Sequence, residues 1–567
     1  MKAKKVLALS LSLLTLGSVS GGLCGCFGGG KTQGVIDSDN VINIMPLSKG
    51  YGIGWLQEVG EAFNKLYKEE GYEVNILDGR SDYEGRTALA EMRMGTTTGV
   101  DIHLTSMVYV DDVLDAEYGV CVENLDDLYA SKPINFDGSE GSATLAELAN
   151  DSEEWSITDS KGSYWSYSYS SSVRGLVVNT KVLAKYGIKE TPRTTDELFE
   201  AYNAIYNGAN GQDGTAGTGV SATTWGGENS TYSINSLYLH LAQLMGVDAY
   251  HEFFTMDGVL KDLTTLENGY TIYTDNKYIQ DVLEVYIQQY DNAYSVPGSV
   301  KQKHTLAHGQ LMQGRAAFMT DGEFFYNEVR ANYAQYLNDI RFVNTPVISK
   351  LGVNLKLDGT GTNRAKCDDI LSYMVKLVDE NKSEAEIKSM TEAQFSITLT
   401  PEQVARVVEA RCIGYGGSIT PGAYITKGTK KADIAKLFLR MLASKDAANI
   451  YTKYGMMTSY EKASADGFAN EFSKGAVNVV SKAKYYCIAS QRPGSLRQGT
   501  NLFLMPSFTA YMANEIAEDI GATENVSTRN YAELAGTAFS QIKQDVTKNW
   551  ATYMARAGKH DGSKYVL

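Results

Sequence analysis

The chain has 567 residues, 43% of them hydrophobic, and a formal net charge of −15. That length and apolar content support a large core divided into at least two domains. Such acidity excludes nucleic acid or a phospholipid surface as the main partner, because both are polyanions.

Lys2, Lys4 and Lys5 precede an apolar run, Val6 to Leu16, and then small residues and two cysteines. This is the order of a secretory signal, and the run is too short for a membrane-spanning helix. Leu23-Cys24-Gly25-Cys26 resembles a bacterial lipobox, in which cleavage precedes a cysteine that becomes lipidated. Cys26 fits better than Cys24, because Gly25 is small and Leu23 is not. We therefore expect a signal peptide over 1–25, a flexible tether over 26–40 and an extracytoplasmic protein anchored to the cell membrane through Cys26. A plain secretory signal with ordinary cysteines is the alternative. Cys121, Cys367, Cys412 and Cys487 remain, widely spaced and without a CxxC pair, which leaves disulfides and buried free thiols both open.

Val41 to Met45 is predicted as a strand ended by Pro46. A helix through Val59, Phe63 and Leu66, a strand Glu73 to Leu77, a helix from Tyr83 to Met94 stopping at Gly95, and a strand Val100 to Leu104 follow. Such alternation predicts an α/β unit with a parallel sheet, in which ligands meet the loops at the strand C-termini. Those loops hold Ser48, Lys49, Tyr51, Asp78, Arg80, Asp82, Thr105 and Ser106. After an acidic connector, the stretch Gly162 to Gly187 places Trp165, Tyr167 and Tyr169 on one face of an extended segment and Ser166, Ser168 and Ser170 on the other. It then becomes an apolar strand, Gly175 to Val178. Thr194 and Glu197 form a capping-box pattern at a helix start. Residues 207–219 are glycine-rich and read as a mobile surface loop. Trp225, Glu228, Asn229 and Tyr232 read as a flexible turn before a helix to Met245. A further helix covers Tyr278 to Tyr290. His308 to Phe325 reads as a helix end, a strand Ala316 to Met319 and a turn Asp321-Gly322-Glu323. Within an insertion over 351–411, Thr400-Pro401-Glu402-Gln403 is a capping box. Ile434, Leu437, Phe438, Met441 and Leu442 share one face of an amphipathic helix. Residues 461–567 read as a mostly helical extension packing on the lobes.

Three of these patches resemble extracellular solute-binding proteins that deliver sugars to ABC importers. Lys161-Gly-Ser-Tyr-Trp-Ser-Tyr-Ser-Tyr followed by Leu176-Val-Val-Asn-Thr-Lys is similar to that family's crossing segment. Gly314-Arg-Ala-Ala-Phe-Met-Thr-Asp-Gly-Glu-Phe is similar to its returning strand, and Thr429 to Leu442 to a helix near its end. The likeness covers roughly residues 41 to 455. It departs at Ser168, where proline is usual, at Val178, often tyrosine, and at Phe324, commonly tryptophan.

The resemblance implies a two-lobe periplasmic-binding-protein type II fold: two parallel or mixed sheets flanked by helices, a ligand cleft between lobes, and hinge closure. It places 41–160 with 314–350 in an N-terminal lobe and 161–313 with 412–460 in a C-terminal lobe. It implies a carbohydrate ligand, an oligosaccharide by the number of aromatics, and ABC permease subunits as partners of a monomer. A same-fold binder of a peptide or polyamine and a secreted glycan-active hydrolase are the alternatives. Sugars offer C–H faces to aromatic rings and hydroxyls to polar side chains. Trp55, Trp165, Tyr169, Trp225 and Tyr232 are therefore platform candidates, and Asp82, Arg86, Glu228, Asn229, Asp321 and Glu323 hydrogen-bonding candidates.

Bland readings stand beside these. Tyr167 and Tyr169 also suit sheet packing, and Trp55 also suits anchoring the first helix. Asp321 also suits capping the following helix, and Asp82 with Arg86 suits a surface ion pair. His304 and His308 have metal-site spacing without an accompanying glutamate, so a solvated helix face is expected. Adjacent acidic pairs such as Asp111-Asp112 do not face each other, and no nucleophile elbow appears. The chain is thus read as a binding protein and not an enzyme, with no metal and no cofactor.

Overall fold

The computed structural model describes residues 34–558, apart from 49, 107, 109, 116–117, 150–156, 160, 172, 210–218, 229–230, 251–274, 418–420, 459, 464–469 and 489–528. The signal, Cys26, Asn229 and most of the glycine-rich loop lie outside the described residues. Strands in chain order are β1 Val41–Pro46, β2 Glu73–Ile76, β3 Ile102–Thr105, β4 Tyr167–Ser168, β5 Arg174–Asn179 and β6 Ser221–Thr223. They continue as β7 Ala316–Gly322, β8 Ile340–Val343, β9 Ile413–Gly417, β10 Gly422–Ile425 and β11 Tyr485–Ile488. Two sheets result. The first has the order β2-β1-β3-β10-β4, and the second β11-β9-β5-β7-β6, with β8 also on β5.

In the first lobe β1 pairs parallel with β2 and β3, as the strand–helix alternation requires. The helix Gly54–Leu66 crosses between them and buries Trp55, Leu56, Val59, Gly60 and Phe63 along one face. Antiparallel β10 then seals β3, and the helix Ala432–Leu442 adds Ile434, Phe438, Met441 and Leu442 to the same core. In the second lobe the buried β5 and β7 lie antiparallel at the centre, with Leu176 opposite Thr320 and Val178 opposite Phe318. Tyr202, Leu241, Val282, Phe318 and Met374 meet in its core.

These pairings exchange two of the expected lobe memberships. The strand Ala316–Gly322 pairs with β5 and β6, so 314–350 belongs to the second lobe. Residues 422–453 belong to the first, through β10 and the helices Ala432–Leu442 and Lys445–Lys453. A Gly-Arg-Ala-Ala-Phe-Met strand carries no mark of which sheet it enters; its apolar run suits either buried position.

The stretch Gly162 to Gly187 does pass between sheets: Ser168 pairs with Gly422 in the first, and Arg174 with Gly322 in the second. Its serines and tyrosines do not divide into an inner and an outer face, since Ser166, Tyr167, Ser168, Tyr169 and Ser170 are all buried. The chain crosses again between β9 and β10, and a third time after Lys453, where Ser171 N–H donates to Met457 O at 2.9 Å. Among the described residues, the chain thus passes between the lobes three times.

The insertion begins within a short helix, Lys350–Asn354, and continues as three longer ones, Arg364–Asp379, Glu384–Phe395 and Pro401–Arg411, the last two opened by capping boxes at Ser383/Glu386 and Thr400/Gln403. They share the second lobe's core through Ile370, Leu371, Val404 and Val407. The extension joins the same lobe: β11 adds parallel to β9, Glu471–Lys482 packs on β8, and Tyr531–Gly558 packs on Lys277–Gln289. Cys121, Cys367, Cys412 and Cys487 are buried free thiols.

Candidate functional site

In the first sheet the parallel strand β1 ends at Pro46 and runs into the loop that carries Tyr51. In the second, β7, parallel to β6, ends at Gly322 and runs into Glu323 and Phe324. The carboxyl ends of the two strands meet. Tyr51 Oη donates to Glu323 Oε1, and Asn327 Nδ2 donates to Gly50 O. Between lobes of this kind, the crevice outside strand C-termini is where loop side chains converge on a ligand.

Glu323 is fully buried, and its second oxygen accepts from Val173 N–H at 2.8 Å. Burial raises its carboxyl above the usual range, opposed by the positive charge of Arg174. Burial and then the Glu323 charge likewise raise the Tyr51 phenol. Arg174, the first residue of β5, stacks its guanidinium on Phe324 at 4.6 Å from the ring centroid. Its Nε and Nη1 are buried without a hydrogen-bond partner, as is Asn327 Oδ1. Gly322 makes the space: a Cβ there would lie 2.2 Å from Arg174 Nη1. Around this floor, then, two donors and one acceptor are buried and still unsatisfied, which is costly unless a polar group joins them.

Behind Glu323, Asp321 is held by His308, whose Nε2 lies 2.8 Å from Asp321 Oδ2, while Nδ1 lies 3.4 Å from Glu328. Burial alone would lower the imidazole, but the two carboxylates outweigh it and hold it above its ordinary value. His308 is thus buried and not on a solvated face, and Asp321 ends a strand instead of capping a helix. Among the described residues no cluster of three or more His, Cys, Asp or Glu is arranged to hold a metal ion.

The other candidates scatter. Trp55 is 3% exposed, stacks with Tyr169 at 5.7 Å and meets Tyr451 edge-on at 4.9 Å, so both Trp55 and Tyr169 are core residues of the first lobe. Trp225 is also core: its Nε1 donates to Ser295 Oγ at 3.2 Å, and the following glycines press on backbone, with a Cβ on Gly227 only 2.2 Å from Val300 O. At Gly226 and Gly227 the chain is tightly packed. Glu228 is exposed. Tyr232 lies in the helix Thr231–Met245, its side chain outside the described set. Asp82 pairs with Arg80 at 3.3 Å and not with Arg86, which stands exposed at a helix start. Trp165 is half-buried, packed on the cluster that contains Tyr83, Met92 and Tyr424, and its Nε1 donates to Asp159 at 3.0 Å. Of the predicted set, Trp165 thus keeps a partly exposed ring before β4, and Glu323 reaches the meeting point of the two lobes.

Tyr51 was visible in sequence as a loop residue at a strand end. Arg174 and Asn327 were not singled out. Their only signal is a polar residue at each edge of the Asp-Gly turn's neighbourhood, which acquires meaning once β5 and β7 are paired. A separate cavity of about 440 Å³, lined by Asp196, Glu200, Glu284, Arg364, Arg529 and Tyr531 among others, lies where insertion and extension meet the second lobe. Its guanidiniums are already engaged, Arg364 by Asp196 and Arg529 by Asp291.

No family model matches the chain, and no curated protein matches it. Solved structures do. The bacterial solute receptor AcbH, described as having an exclusive substrate preference for β-D-galactopyranose, superposes with a TM-score of 0.53 at 13% identity, over 90% of this chain and 100% of its own. The apo form of RafE from Streptococcus pneumoniae gives 0.51 at 13% identity, over 91% and 99%. At such identity the likeness concerns architecture, and on that ground the chain has the two-lobed α/β fold of the bacterial solute-binding proteins.

Proposed function

We propose that this protein is an extracytoplasmic solute-binding protein that captures a carbohydrate between its lobes and presents it to the permease of an ABC importer. The observation that carries this reading is the meeting of the β1 and β7 carboxyl ends beside three interlobe crossings. There Tyr51, Arg174, Glu323, Phe324 and Asn327 supply donors, acceptors and a ring within one small region. Such a floor, with Phe324 as its ring, suits a hydroxylated ring: hydroxyls both donate and accept, and C–H faces lie on aromatics. The galactose receptor with the same architecture supports a sugar. Asp82, Arg86, Glu228, Asn229 and Tyr232 are retained as outer contacts for a longer glycan. Lipidation at Cys26 and function as a monomer belong to this proposal, as does the lack of catalysis, since capture needs only two states that the ligand biases toward closure.

A thermal-shift screen across mono- and oligosaccharides, peptides and polyamines tests it. A ligand that binds only the native state raises Tm. We expect a sugar to do so and to be recovered intact. A shift with peptides alone, or release of new reducing ends, overturns the reading.

A further inference from the structure

Among the described residues, one helix of the second lobe touches both the first lobe and the start of the third crossing. Phe325–Tyr333 of the second lobe reaches the loop after β1 and the end of the helix Lys445–Lys453 in the first. Asn327 Nδ2 donates to Gly50 O, and Arg330 Nη1 donates to Lys453 O at 3.2 Å. The Arg330 guanidinium also lies over the Tyr454 ring, 5.4 Å from its centroid. Just before this helix, Glu323 accepts from Tyr51. We propose that these contacts form an interlobe latch, engaged in the ligand-free protein, which holds the lobes together before any solute arrives.

Each half of the latch is fixed by its own lobe. Glu323 is pinned by Val173 N–H at 2.8 Å. Tyr51 packs against the first-lobe core that contains Trp55 and Phe63. Gly54 lets Tyr454 lie directly on the start of its helix, where a Cβ would come within 2.8 Å of the ring. Gly455, at φ +68°, turns the chain beneath Tyr326, leaving an added Cβ 3.4 Å from that ring. A rotation of one lobe against the other therefore has little slack to absorb and must break the hydrogen bonds themselves.

The bonds are not all equivalent. Tyr51 to Glu323 joins a half-buried phenol to a fully buried carboxylate, so breaking it leaves a buried acceptor short of one donor. Arg330 to Lys453 lies at the exposed rim and contributes less. The latch thus concentrates on two residues, Tyr51 and Glu323, with Asn327 as support. Part of the free energy of closure then resides in the chain itself, and a ligand need supply only the remainder.

Energy transfer between dyes on Lys430→Cys in the first lobe and Lys189→Cys in the second tests this on the full chain with no ligand present; the native thiols beyond the leader are buried. Tyr51→Phe keeps the ring and removes only the donor. We expect about a three- to tenfold rise in the ratio of low-transfer to high-transfer molecules. Tyr51→Phe combined with Asn327→Ala should raise it further, with the far-UV circular dichroism unchanged. If Tyr51→Phe does not fold, Asn327→Ala, at a half-buried position, decides alone. An unchanged distribution in the folded variants overturns the latch. Because no solute is used, that outcome is independent of whether the ligand is a sugar.

Discussion

Trp55 and Trp165 bring the same ring to different surroundings, and the difference is testable. Trp55 is enclosed by Tyr169 and Tyr451, so Trp55→Ala should leave a cavity and destabilise the protein by about 3–5 kcal/mol in a denaturant titration. Trp165 is half-buried and tied by Asp159, so Trp165→Ala should keep the urea midpoint within about 1 kcal/mol and weaken sugar binding about tenfold in calorimetry. A collapse of the fold in Trp165→Ala would return that residue to the core. A second residue-scale effect is electrostatic. Asp368, 8% exposed at the junction of the insertion with the helix Thr195–Ala209, accepts from Thr194 Oγ1 at 2.9 Å. Burial, with Asp196 and Glu197 nearby, pushes its carboxyl up to about 7. A folded value above the unfolded one means that its contribution is fully present below about pH 4 and is lost as pH rises through about 7. Asp368→Asn should therefore gain stability relative to the parent between those limits and level off above them, by about 2–4 kcal/mol at pH 8. A pH-independent difference in melting would remove this assignment.

Elements whose signals are local were legible in the sequence. The helix from Gly54, the capping box at Thr400 and the amphipathic stripe from Ile434 to Leu442 all appear where periodicity and cap chemistry put them. Thr400→Ala should accordingly cost about 1 kcal/mol, read as a lower urea midpoint. The capping pattern at Thr194 is kept only in half. Thr194 Oγ1 accepts from Glu197 N–H, but the Glu197 carboxylate takes Arg193 N–H and Ser372 Oγ–H instead of the cap's own amide. Pairing partners were not legible, because a buried strand such as Ala316–Gly322 has the same composition in either sheet. For the same reason the aromatic residues were over-assigned to the ligand. Trp225 in a Gly-Gly turn looks like a loop residue, and only the approach of Val300 shows the turn to be packed interior. Conversely, the polar floor at Arg174 and Asn327 is assembled from three distant segments, and no spacing rule connects them.

At the scale of the molecule, the insertion and the described helices and strand of the extension enlarge the second lobe, so sugar-dependent stabilisation should reach both lobes only if they are coupled. With a sugar at about a hundred times its Kd, the gain is about 2.7 kcal/mol. Hydrogen exchange should show that gain in β1 and β7 alike, and protection confined to one lobe would mean that the solute does not bridge them. The exchange of β10 into the first sheet has a consequence for how the chain acquires its shape. Thr105 waits for Gly422, and the whole second-lobe sheet centre lies between them in sequence. During synthesis or export, therefore, the first lobe presents an unpaired β3 edge until about three-quarters of the chain has emerged, while β5, β7 and β8 already have one another. The first lobe thus begins early and waits for a long-range closure, which should slow its folding and lengthen its exposure to aggregation.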